Sequence, residues 1–140
     1  MGRLSIDTTF LIDLQRERRK GEQGPAYQLL DSRRGDTIAA SSVVWGEFLE
    51  GFESMEDGRI GALEESLSIL VQTVTTARIY AGLARRLRAQ GLMIGANDLW
   101  IGSASIEHSL PLATRNVDHF GRLPSLRLIE YCSPYIWKPS

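Results

Sequence analysis

The chain has 140 residues, 43% of them hydrophobic, a formal net charge of −1 and a single cysteine. That length and apolar content suit one packed domain. The near-neutral charge excludes binding of nucleic acid by bulk basicity, though not by a local basic groove, and the lone Cys132 excludes an internal disulfide or a cysteine-built zinc site. No basic start leads into an apolar stretch, and no run approaches the ~20 apolar residues of a membrane helix; a reduced, cytoplasmic setting without a signal peptide is expected.

Residues 3–6 read as a short buried strand. Over 8–20, Phe10, Leu11 and Leu14 precede the charged run "QRERRK", the pattern of a helix that emerges into solvent. "PAYQLLDSRR" is a second helix, with Pro25 where its missing N–H costs nothing. "DTIAAS" (36–41) is a second strand, and Ser41 or Ser42 caps a third helix running to about Ser54. Glu56, Asp57 and Gly58 break it, and "RIGALEESLSIL" is helical again. "ILVQTV" (69–74) is a third strand. Thr75 or Thr76 starts a long helix with Ile79, Leu83 and Leu87 on one face, ended by Gly91. Asn97 caps a helix of small and apolar residues. "LPLATRN" (110–116) and "LRLIEY" (126–131) are the last strands, and "CSPYIWKPS" (132–140) is a tail expected to pack on the same domain. Strands alternating with helices in one short chain imply an α/β fold with a parallel sheet covered on both faces.

In such sheets the site lies beyond the carboxyl ends of the strands. That rule selects Asp7 after the first strand, Glu47 in the helix after the second, Asp98 in the first turn of the helix at Asn97, and Asn116 and Asp118 after the fourth. Each has an ordinary alternative: Asp7 and Asp98 as helix-end partners, Glu47 as a solvated helical residue, Asp118 as a loop residue. Glu47 and Asp98, however, stand among Val43, Val44, Trp45 and Phe48, and among Leu99, Trp100 and Ile101. Carboxylates that face one another repel unless a cation joins them. Oxygen ligands suit magnesium, which can activate water and stabilise charge on a phosphoryl oxygen. The residues thus point to an acidic, magnesium-type site for phosphoryl transfer or phosphodiester cleavage.

The same stretches carry a resemblance. "IDTTFLID" resembles the first motif of the PIN-domain ribonucleases, "SSVVWGEFLEG" the second, with Ser41 six residues before Glu47, and "IGANDLWIGSASIEHSLPLATRNVDHF" the third and fourth. The order and spacing resemble VapC-type toxins over nearly the whole chain. The resemblance implies a three-layer sandwich on a five-stranded parallel sheet over residues 1–131, and an endoribonuclease that uses Mg2+ or Mn2+. It also implies a homodimer and a VapB-like antitoxin that inserts a segment into the acidic groove. It implies Asp7, Glu47 and Asp98 as metal ligands and catalytic residues, with Thr9 bonded to the cluster, Ser41 and Asn116 in support, and Asp118 as an outer-sphere carboxylate. Family members often carry an acid at the asparagine of "TRN" or three residues after it; here those places hold Asn116 and His119. Arg115 is the expected RNA contact, and Arg85, Arg86 and Arg88 form a candidate phosphate-facing patch on a helix.

Two other classes were weighed. A haloacid-dehalogenase-like phosphatase needs a second aspartate two residues after the first, where this chain has Thr9. A serine hydrolase needs a nucleophile elbow that neither serine cluster supplies. The alternative kept is a non-catalytic PIN-like module, binding RNA or protein, with a degenerate metal site.

Overall fold

A computed structural model of the chain describes residues 2–131; the expectation for the 132–140 tail falls outside the described residues. Five parallel strands, β1 (Arg3–Ile6), β2 (Thr37–Ser41), β3 (Ser68–Leu70), β4 (Leu112–Thr114) and β5 (Leu128–Glu130), form one sheet in the order β3-β2-β1-β4-β5. β1 and β2 are joined through α1 (Thr8–Lys20) and α2 (Pro25–Ser32), and β2 and β3 through α3 (Ser42–Leu49) and α4 (Gly58–Ser66). The chain then reverses direction across the sheet through α5 (Val74–Gln90) and α6 (Ala96–Glu107) to β4, and reaches β5 through α7 (Val117–Phe120). Right-handed crossovers moving in opposite directions place α1–α4 on one face and α5 and α6 on the other. Burial on both faces is why Leu4, Ser5 and Ile6 are all inaccessible in β1 rather than alternating. Ser5 is accommodated there by hydrogen bonds to Ser105 Oγ and to the Pro111 carbonyl. α6 sits close to the sheet through a buried run of small residues, Gly102 to Ser105; a Cβ at Gly102 would meet Leu123 at 2.2 Å.

The structure corrects several element boundaries. The third helix stops at Leu49, not Ser54, and α4 starts after its own cap, Asp57. The third strand is Ser68–Leu70, not 69–74, because only those residues pair with Ala39–Ser41. α5 begins at Val74 rather than at Thr75 or Thr76: Thr73 and Thr76 bond each other's backbone N–H in a reciprocal cap, which fixes the start early. The last two strands are shorter than read, at Leu112–Thr114 and Leu128–Glu130. α6 is capped by Gly95, not Asn97, which lies inside its first turn.

The α1–α2 hairpin is held by a buried acid. Glu17 is 1% exposed and accepts hydrogen bonds from the backbone N–H groups of Ala26 and Tyr27, the first turn of α2. α2 has only Gly24 at its cap position and no side-chain cap of its own, so Glu17 supplies the missing acceptors. Glycine is required at 24, since a Cβ there would lie 2.5 Å from the Glu17 carboxyl carbon.

Candidate metal centre

Strand order reverses at β1: its neighbour β2 follows in one direction, and β4 is added on the other side. The crevice at the carboxyl ends of β1 and β4 is where a parallel sheet builds a site. Asp7 stands at that point, one residue past β1, as the cap of α1. One carboxylate oxygen accepts from the Phe10 N–H at 2.9 Å and the other from the Thr114 hydroxyl at 2.6 Å. The side chain is 3% exposed. Burial pushes its pKa up from 3.8 to about 6; the two hydrogen bonds oppose the rise, and the negative charges of Asp98 and Asp13 add to it.

Glu47 is carried to the same edge by α3. Ser41 ends β2 and caps α3, accepting from the N–H groups of Val43 and Val44. Glu47 Oε1 accepts from Thr8 Oγ1 at 2.5 Å and Oε2 from Asn97 Nδ2 at 3.1 Å. The hydroxyl bonded to the cluster is therefore that of Thr8, not the expected Thr9. Asn97, released from the capping role, links α6 to Glu47 instead. Asp98 follows it in the first turn of α6, with Oδ2 3.4 Å from His119 Nδ1. Asn116 Nδ2 lies 3.2 Å from that same ring nitrogen, so Asn116 supports Asp98 through His119.

Two expected residues are elsewhere. Asp118, the expected outer-sphere carboxylate, is turned to solvent: its side chain is 79% exposed and pairs with Arg122 at 3.3 Å. α7 has turned His119 toward Asp98, and Asp118, one residue earlier, leaves on another side. Arg115, the expected RNA contact, points inward, its Nε 3.1 Å from Asp13 Oδ2. Asp13 is fully buried and accepts from the Tyr131 hydroxyl at 2.8 Å. Arg85, Arg86 and Arg88 are exposed on α5.

The sequence reading missed Thr114, Thr8, Asn97 and His119 as contacts of the acids, and Asp13 altogether. Asp13 had a signal: it lies three residues after Phe10 and four before Glu17, on the face of α1 that carries the buried Phe10 and Leu14.

Three carboxylates on β1, α3 and α6 form an all-oxygen donor set, which suits a hard divalent ion. The raised pKa of Asp7 reflects the burden of an anion that no cation neutralises. The side chains are not gathered into a closed cage: among the described residues, no three His, Cys, Asp or Glu side chains stand close enough to share an ion. The oxygens of Glu47 are occupied by Thr8 and Asn97, and an oxygen of Asp98 faces His119.

The PIN domain family model matches residues 4–126. The chain is 31% identical over 127 residues to Ribonuclease VapC1 of Haemophilus influenzae (strain R2866), covering 87% of this chain and 92% of that one. It is 28% identical over 130 residues to Ribonuclease VapC1 of Methanocaldococcus jannaschii, covering 92% and 87%. Its fold is similar to VapBC2 from Rickettsia felis bound to a DNA fragment from their promoter, with a TM-score of 0.77, 26% identity and coverage of 93% of this chain and 99% of that one. It is also similar to VapBC-1 from nontypeable Haemophilus influenzae, with a TM-score of 0.75, 26% identity and coverage of 91% and 97%.

Proposed function

The chain belongs to the PIN-domain family, among the VapC proteins, and from that premise we propose that it is a metal-dependent endoribonuclease that hydrolyses RNA phosphodiester bonds, the toxin of a VapBC-like pair acting in the cytoplasm. The observation that carries the reading is the placement of Asp7, Glu47 and Asp98 on three elements at the crevice where the strand order reverses. These three carboxylates would hold Mg2+ or Mn2+, which supplies an activated water and charge stabilisation at the phosphoryl group. The rest of the work is positioning. Thr114 and the Phe10 N–H fix Asp7, Thr8 and Asn97 fix Glu47, and His119 faces Asp98. With Arg115 tied to Asp13, Arg85, Arg86 and Arg88 remain the candidate contacts to the RNA backbone. Cleavage of a structured RNA should require added Mn2+ or Mg2+ and stop with a chelator. Cleavage that survives exhaustive chelation would overturn the metal-dependent reading.

The proposal extends to partners. The Haemophilus influenzae and Rickettsia felis structures are of VapBC assemblies. In this chain an apolar groove of about 470 Å³ between α1, α3 and α4 is lined by Leu11, Leu14, Phe48, Phe52 and Leu63, with Arg18 and Arg19 at its edge. That surface suits an amphipathic antitoxin segment with acidic flanks. Val71 and Val74, 63% and 73% exposed beside the edge strand β3, are candidates for burial in a homodimer. No helix among the described residues is long and apolar enough to cross a membrane. Light scattering should give the mass of a dimer for the chain alone and a larger mass when an antitoxin is co-expressed. A monomer in the first case, or no gain in the second, would remove that partner from the proposal.

A further inference from the structure

His119 is the feature of the centre that its three carboxylates do not explain. It stands on α7, and its Nδ1 is 3.4 Å from Asp98 Oδ2 and 3.2 Å from Asn116 Nδ2. The ring nitrogen meets opposite demands: the Asn116 amide offers a hydrogen and the Asp98 carboxylate accepts one, and a single Nδ1 serves only one of them. When Nδ1 carries its lone pair for Asn116, it and Asp98 Oδ2 present two acceptors to the space between them. A cation is what joins two such acceptors. The spacing agrees, since neighbouring ligands about 2.1 Å from a six-coordinate ion lie about 3 Å apart. The two side chains are 43% and 32% exposed, so an ion can reach them from solvent.

We infer that His119 is a nitrogen ligand of the metal centre and makes this site prefer a first-row transition ion, such as Mn2+ or Co2+, over Mg2+. The inference rests on the metal-centre reading above and goes beyond it. Imidazole nitrogen binds transition ions well, whereas Mg2+ favours oxygen and keeps its waters. A centre of three carboxylates and one imidazole therefore discriminates between the two classes, and a purely carboxylate centre does so much less.

Two measurements on the full chain test this. The first is pulsed electron paramagnetic resonance of the Mn2+-loaded protein. A directly bound nitrogen-14 signal is expected for the wild type and should be absent in His119→Asp. The second is calorimetric titration with CoCl2 and with MgCl2. The loss of a ligand should reduce affinity by no less than the roughly 10–100-fold seen when supporting contacts are lost, so the Co2+ to Mg2+ affinity ratio should fall about tenfold or more in His119→Asp. Mn2+ binding without a nitrogen signal, or an unchanged affinity ratio in the variant, would overturn the role of His119 while leaving the carboxylate centre standing. Failure of the wild type to bind any of the three ions would overturn both. Circular dichroism checks that the variant folds, and if it does not, the wild-type nitrogen signal decides alone.

Discussion

Replacing Asp7 with asparagine is expected to abolish RNA cleavage and, at the same time, to make the metal-free protein more stable at pH 8. Losing a carboxylate from the metal centre removes several kcal/mol of charge stabilisation, and ~4 kcal/mol is on the order of a thousandfold in rate. Asp98→Asn and Glu47→Gln should lose cleavage similarly. The stability effect follows from the raised pKa of Asp7, about 6 against 3.8 for an unconstrained carboxyl. Below pH 3.8 the group is protonated in both the folded and unfolded chain, and burial carries no electrostatic penalty. As the pH rises from 3.8 through 6 the unfolded chain ionises first, and the fold loses about 3 kcal/mol. Asparagine cannot ionise and escapes that loss. It must turn the Thr114 hydroxyl, which now donates to the carboxylate, and this returns about 1 kcal/mol. The variant should thus gain about 2 kcal/mol at pH 8, and the gain should fade as the pH falls toward 4. Added Mn2+ should reverse the order by stabilising only the wild type. Thermal melts across pH, with and without Mn2+, beside an RNA cleavage assay, check both halves. A variant that still cuts RNA at the wild-type rate would refute the nuclease centre. A variant that loses cleavage but is no more stable at pH 8 would show that Asp7 is not strained.

Asp13→Ala should be among the most destabilising single changes, at about 3 kcal/mol. Asp13 is fully buried and gathers the Arg115 guanidinium and the Tyr131 hydroxyl. Removing one partner of a buried pair leaves the other charge unmet, at ~3–5 kcal/mol. The Arg115 side chain keeps 23% exposure, so water recovers part of it and the lower end applies. Tyr131 gains nothing by ionising, since burial and its bond to Asp13 hold the phenol well above its usual range. Urea denaturation should show a lower midpoint with an unchanged slope. Asp13→Leu combined with Arg115→Met should recover much of the loss, because an apolar replacement of the whole pair leaves no charge behind. A loss under about 1 kcal/mol for Asp13→Ala would show that Arg115 reaches solvent freely.

The comparison between sequence and structure separates pattern from partnership. Parallel strands, their order of appearance and the three acids at their carboxyl ends follow from periodicity and the crevice rule, because strand tips are local features. Contacts made by side chains 39 to 107 residues apart, such as Thr8 to Glu47 and Thr114 to Asp7, are not local, and neither threonine differs in pattern from its neighbours. Thr9 was favoured over Thr8 by motif position alone; the helical start at Thr8 turns the first hydroxyl toward α3. Arg115 looked free because its partner, Asp13, sits 102 positions earlier on α1, in a stretch that reads as an amphipathic surface helix. Asn97 looked like a cap because caps and first-turn residues share a composition, and Gly95 took the role without a side chain.

The central position of β1 bears on the order in which the protein is made. Synthesis delivers β1 and Asp7 first, yet Thr114, which holds one oxygen of Asp7, arrives 107 residues later on β4. His119 comes later still, and Tyr131, which anchors Asp13, closes the described chain. No partial translation product contains the assembled centre. A nascent chain still short of β4 exposes one side of β1 and cannot present Asp7 as the finished protein does. A nuclease able to cut the RNA of its own cell thus comes into being only as its synthesis nears the end, which leaves the ribosome that makes it beyond its reach for nearly the whole of translation.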